Sequence, residues 1–302
     1  MSYNVSLITL SDGTQEYVAY SRPIVNHVSS DNPKSTGVRK LSDDDCNTPF
    51  GDADYEICDD SSYFSDCVSP ENLALRKRHS EINSIKRARK SVEYIGKCND
   101  WSAGYFITLT FNPDVLNSYD YYVCQDAVIK WLDSMRHRYS VMEYLLVFEK
   151  HLSGRYHVHA LMRGCELRLV PAVNAKTGKF IFKNGKQIFN LSLDEYKLGL
   201  TTVSYIENSR AAAQYISKYI GKALGEVPAG CHRYYASRSL NRFEDCRETF
   251  FIDDVYVLRN VIDWLHGIAD SVHQVFVDVI DTTVTYFKVF APGPLSGAVA
   301  PT

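Results

Sequence analysis

Residues 149–159 read E-K-H-L-S-G-R-Y-H-V-H, and this stretch restricts the chain more than any other. Tyr144–Lys150 (Y-L-L-V-F-E-K) is an apolar run of strand type, Ser153-Gly154 is a tight-turn signal, and Tyr156–Met162 is a second strand-type run. Two strands joined by so short a connection pair as an antiparallel hairpin. Side chains two apart on a strand share a face, so His157 and His159 point the same way. Glu149 lies on the preceding strand, close enough across the turn to add a carboxylate oxygen. An H-x-H on a strand is often only a solvated face; the neighbouring Glu and the hairpin make this one a candidate site. Two neutral nitrogens and one carboxylate suit Mn²⁺, Mg²⁺ or Zn²⁺, with positions left open for a substrate.

The surrounding elements follow from periodicity and punctuation. Residues 70–97 are expected to be a helix with Pro70 near its start and Leu73, Ile82, Ile85 and Ile95 as its apolar positions. Gly104–Phe111 reads as a strand ended by Asn112-Pro113, and Asp120–Tyr139 as a helix. Turn signals at Lys176-Thr177-Gly178 and Lys183-Asn184-Gly185 around F-I-F suggest an inserted ribbon. Thr202–Glu207 reads as a strand, with Asn208 or Ser209 capping a helix over about 210–224. A further helix near 256–268 precedes a strand-rich end, and the Pro- and Gly-containing tail is expected to be disordered. The order strand, helix, strand, strand, insertion, strand, helix predicts an α+β fold, an antiparallel sheet flanked by helices. The expected divisions are an acidic, loosely ordered N-terminal region (1–68, with a short strand near Val5–Leu10), a central domain (69–245) and a C-terminal extension (246–302).

The net charge of −3 conceals an asymmetry. Between Ser42 and Asp66 there are nine acidic residues and no Lys or Arg, whereas Arg76, Lys77, Arg78, Lys86, Arg87, Arg89 and Lys90 crowd one helix. Basic grooves with stacking aromatics bind single-stranded DNA. The helix, the ribbon lysines, and Arg233, Tyr234, Tyr235 and Arg238 are the candidate DNA contacts, and the acidic segment is a candidate cover for them. The eight cysteines have no zinc-type spacing. The N-terminus lacks a secretory pattern, and no apolar run is long enough to span a bilayer, so an intracellular protein with reduced thiols and no membrane partner is expected.

Residues 215–219 read Y-I-S-K-Y. On a helix, Tyr215, Lys218 and Tyr219 share a face. A phenol with a pKa near 10 is a poor nucleophile unaided. A nearby cation or metal-bound phosphate compensates by stabilising the phenolate and the transition-state charge. Aromatics at helical spacing are more often core, but Ile216 and Ile220 form a separate apolar stripe, which leaves the tyrosines available for chemistry.

Taken in order, F-I-T-L-T-F (106–111), H-V-H (157–159) and Y-I-S-K-Y (215–219) resemble the HUH endonuclease superfamily, above all the rolling-circle replication initiators of small single-stranded-DNA phages and plasmids. The resemblance covers roughly residues 100–245 and implies an HUH endonuclease core. It implies that His157 and His159, with Glu149 as third ligand, hold a divalent Mg²⁺ or Mn²⁺. It further implies that Tyr215 cuts one DNA strand at an origin through a 5′-phosphotyrosine link, leaving a 3′-OH primer. Tyr219 would make a second attack, and Lys218 would steer phosphate or position the metal. Transposases and relaxases share this chemistry, but relaxases usually place the tyrosine before the histidines; a non-catalytic origin binder is the rival from another class. No G-x-x-x-x-G-K-[ST] loop occurs, so a host helicase is expected to unwind the DNA and a host polymerase to extend the primer, in the cytoplasm of a prokaryotic host.

Overall fold

The computed structural model describes residues 2–25, 70–174, 176–183, 185–222, 227–228 and 231–291. Its first elements are β1 (Ser2–Thr9), β2 (Gln15–Val25), α1 (Pro70–Cys98), β3 (Tyr105–Thr110), α2 (Tyr121–Arg138), β4 (Glu143–Lys150) and β5 (Tyr156–Arg163). There follow β6 (Leu169–Pro171), β7 (Phe182–Lys183), β8 (Lys186–Gln187), β9 (Phe189–Leu191), β10 (Thr201–Tyr205) and α3 (Ser209–Lys222). The last are β11 (Tyr234–Ala236), β12 (Arg247–Phe250), α4 (Val255–Ile268), β13 (Ser271–Val277) and β14 (Thr282–Val289). All described strand pairings are antiparallel, as the α+β reading expects.

The chain divides into two compact units, 68–242 and a discontinuous one made of 1–67 with 243–302. In the larger unit seven strands run in the order β11-β4-β5-β3-β10-β9-β6. The central strands are buried on both sides, which is why β4 reads as a nearly continuous apolar run. On one face α2 lays Cys124, Val128, Leu132 and Met135 against Leu146, Phe148, Val158 and Ala160. On the other, Val92 and Ile95 of α1 and Ile216 of α3 pack against Leu145, Val147 and Leu161. Each large side chain buried in this way contributes about 1.5–3 kcal/mol.

Local signals account for the ends of these elements. Asp120 caps α2 by accepting from the Tyr122 and Val123 N–H groups. Of the two candidate caps for α3, Asn208 takes the role, accepting from Ala211 N–H at 2.9 Å. Ser209 instead accepts from the Trp101 N–H at 2.8 Å, tying the start of α3 to the corner before β3. The β4–β5 connection closes where Gly154, at φ +83°, donates to the His151 carbonyl at 2.7 Å; only glycine adopts that φ without strain. The predicted ribbon is present, with β7 and β8 as its hairpin.

The smaller unit is a five-stranded sheet, β12-β1-β2-β14-β13. Leu258 and Leu265 of α4 pack with Val5, Ala19 and Phe287 on one side, and Tyr3, Val18, Tyr20 and Val284 cluster on the other. The division into 1–68, 69–245 and 246–302 runs consecutively, whereas this unit joins the two ends of the chain. The sequence predicts one short strand near Val5–Leu10 in a loosely ordered lead-in. Instead β1 and β2 form the centre of a sheet, because β12 and β14, from the far end of the sequence, supply their partners. The acidic run 42–66 and the tail from 292 lie outside the described residues. No disulfide joins Cys98, Cys124, Cys165, Cys231 or Cys246, and no described helix is long and apolar enough to cross a membrane.

Candidate functional site

The histidine strand β5 sits between β4 and β3, and register settles what faces what. Glu149 is directly opposite His157, and Val147 opposite His159. On the other side Thr110 is opposite His157 and Thr108 opposite His159. Opposed residues share a face, so Glu149, His157, His159, Thr108 and Thr110 all point toward the layer of α1 and α3.

His159 is buried and held from three sides. Its Nε2 lies 2.7 Å from Glu149 Oε2, the carboxylate reaching diagonally past its own partner. Its Nδ1 lies 3.1 Å from Thr108 Oγ1. The Tyr219 ring stacks on it at 3.5 Å between centroids and 17° between planes. A nitrogen facing a carboxylate carries the proton, so in the neutral ring Nδ1 accepts from the Thr108 hydroxyl; that hydroxyl can serve either tautomer. His157 is half-buried and stacks on His151 with centroids 5.4 Å apart. Burial, and then the neighbouring His151 and His159, hold its pKa below the ordinary value of 6.5.

The tyrosines are unequal. Tyr215 is 42% exposed and Tyr219 only 9%. Their rings meet edge to face at 5.2 Å, and Tyr215 also packs on Phe106 at 5.1 Å. Burial first, then the hydrogen bond with Tyr215, pushes the Tyr219 phenol above its usual range, and the nearby Glu149 adds to this. Lys218 is exposed, its ammonium 6.0 Å from the centre of the Tyr215 ring. The expectation that an isoleucine stripe would keep both tyrosines off the core therefore needs correction: Ile216 is buried, but so is Tyr219, beside it in the same cluster.

The donor set suits a divalent ion in type and in face: two imidazoles, one held neutral by burial, and a carboxylate. Among the described residues, however, no three His, Cys, Asp or Glu side chains are gathered closely enough to enclose an ion. Glu149 and His159 are instead engaged with each other, and His157 with His151. Ligation requires that the Glu149–His159 bond open.

The candidate DNA contacts are spread over several elements. On α1, which carries Arg76 and Lys77 in its N-terminal part, Arg78, Lys86 and Arg89 are exposed while Arg87 and Lys90 are half-buried. Tyr234 and Tyr235 occupy β11, paired with Val147 and Leu146, so their rings go to opposite faces of the sheet. Tyr235 accepts from Gln125 and packs on Phe148, and Tyr234 borders the cluster beneath α3. Only Tyr234 is on the histidine face. Arg233 is half-buried and Arg238 exposed. Sequence reasoning misses Thr108 and His151. Thr108 lies inside F-I-T-L-T-F, and His151 continues the alternation begun at Glu149, but their relation to the histidines is a matter of register.

Fold and site together define a class: an α+β protein whose antiparallel sheet gathers imidazole, carboxylate and phenol groups beneath one helix. Residues 104–224, less than half of the 302-residue chain, match the replication-associated protein ORF2 family, which supports a replication initiator. The match runs from the start of β3 through α3 and so takes in all three motifs. No curated protein and no solved structure matches the chain.

Proposed function

We propose that this chain starts rolling-circle replication by nicking and rejoining one strand of origin DNA through a phosphotyrosine link. The observation that carries the proposal is the placement of α3 across the histidine strand, with Tyr219 stacked on His159 and Tyr215 beside it at the surface.

In this reading His157, His159 and Glu149 would hold a divalent ion, which when bound would polarise the scissile phosphate and ease departure of the 3′ oxygen. His157 keeps its lone pair available because burial disfavours the imidazolium, and Thr108 orients the His159 ring from behind. Tyr215, the accessible phenol, forms a bond to phosphorus as the bond to the 3′ oxygen breaks. The phenol gives up its proton and the 3′ oxygen gains one, leaving a 5′-phosphotyrosine and a free 3′-OH. Lys218 offsets charge at the attacking oxygen and the phosphate. Tyr219 makes the later attack, after leaving its stack on His159. A partner helicase unwinds the duplex and a polymerase extends the hydroxyl.

The test is incubation with circular single-stranded DNA carrying candidate origins and Mn²⁺, followed by a denaturing gel. An adduct that requires metal and is lost in Tyr215→Phe/Tyr219→Phe is the expected result. DNA binding without any adduct, with or without metal, would overturn nicking in favour of a non-catalytic origin binder.

A further inference from the structure

The insertion between β5 and β10 presents a surface that the chemistry above leaves unused. From Arg168 to Leu193 the sequence holds five cations, Arg168, Lys176, Lys179, Lys183 and Lys186, and no Asp or Glu. Its hairpin is joined to a third extended stretch by the bonds Ile181 N–H to Ala172 O at 2.8 Å and Ala172 N–H to Ile188 O at 2.9 Å. A ribbon this narrow encloses no core of its own. Phe180 is 57% exposed and Phe182 60%, and, being two apart on one extended stretch that pairs with Val173 and Gln187, they share a face. Lys176, Lys179 and Lys183 around them are exposed as well. At the base of the ribbon Lys186 pairs with Glu207, just ahead of the helix that carries Tyr215.

Two large aromatic rings held open to water call for a flat partner, and a ribbon whose own residues supply lysines and no carboxylate calls for a polyanion. Duplex DNA satisfies the second demand but hides its base faces in the stack. An unpaired strand satisfies both, because each base offers a π-face beside a phosphate. We propose that this ribbon is a clamp for single-stranded DNA next to the tyrosine helix, with Phe180 and Phe182 stacking unpaired bases and Lys176, Lys179 and Lys183 taking the phosphates. The clamp deepens the nicking reading by naming how the unpaired substrate is held, yet its test needs only binding.

The measurement is fluorescence anisotropy of the full chain, carrying Tyr215→Phe/Tyr219→Phe so that nothing is cut, with a labelled single strand and with the duplex of the same sequence. Adding Phe180→Ala/Phe182→Ala is expected to weaken single-strand binding roughly ten- to a hundred-fold, with duplex binding little changed. Phe180→Tyr/Phe182→Tyr, which keeps both rings, is expected to bind as before. Lys176→Gln/Lys179→Gln/Lys183→Gln is expected to weaken both forms and flatten the single-strand salt dependence by about two in log–log slope. Unchanged single-strand affinity in the alanine variant, an equal loss on duplex, or no binding of single strands at all would each overturn the clamp. Adducts from the tyrosine-intact alanine variant with normal affinity would reject the clamp and spare the nicking reading; ribbon-dependent binding without adducts would do the reverse.

Discussion

Tyr215 and Tyr219 are written symmetrically in Y-I-S-K-Y, but their surroundings divide them. Tyr215 is exposed, whereas Tyr219 is pressed on His159 with its phenol held above the usual range. Tyr215→Phe is therefore expected to abolish the first covalent adduct, and Tyr219→Phe to leave it measurable; equal loss in both would make the phenols interchangeable. His157 yields a pH prediction. Its pKa is lowered in the folded chain by burial and by His151 and His159, so the unfolded chain binds a proton first on acidification. The linked stability is whole above the ordinary value of 6.5 and is lost as pH falls through the lower, folded value. Thermal melts of metal-free protein should thus drop between neutral pH and about pH 5, and His157→Gln should flatten that drop; an unchanged slope would assign the proton elsewhere.

Among the elements, α1 and α3 approach so closely that a Cβ on Gly96 would sit 2.8 Å from the Ala213 Cβ. Gly96→Ala gains helix propensity of about 1 kcal/mol but has to push α3 away, and overpacking costs about 1–3 kcal/mol. A lower melting temperature is expected, restored in part by Ala213→Gly; a Gly96→Ala variant more stable than the parent would show that the two helices separate at little cost. This contact also bears on the site, since Ala213 and Tyr219 ride on one helix. The β4–β5 hairpin and α2 were legible because their signals are local: alternation, Ser153-Gly154, and the Asp120 cap. Equally legible was α3 as a helix, but not which of its sides is buried. The rotation of α3 is decided by Gly96 and by the sheet beneath it, both remote in sequence.

At the scale of the molecule, two units have separate cores. Phe287, fully buried, joins Leu258 and Leu265 of α4 to Val5 and Ala19. Phe287→Ala should cost about 3–5 kcal/mol. Hydrogen exchange is expected to speed up in β1, β2, β13 and β14 while β4 and β5 keep their protection; equal acceleration in both sheets would mean that the units open together. The sequence alone was enough for the antiparallel α+β class, the hairpin, the shared face of His157 and His159, and the helix bearing Tyr215 and Tyr219. All of these rest on turns, caps and periods that act over a few residues. Tertiary structure decided that the two ends of the chain share a sheet, that Thr108 backs His159, that Glu149 bonds His159 rather than its direct partner His157, and that Tyr219 is covered while Tyr215 is not. Those outcomes depend on register and packing between segments far apart in the chain, where each surface is defined only once the other has folded against it.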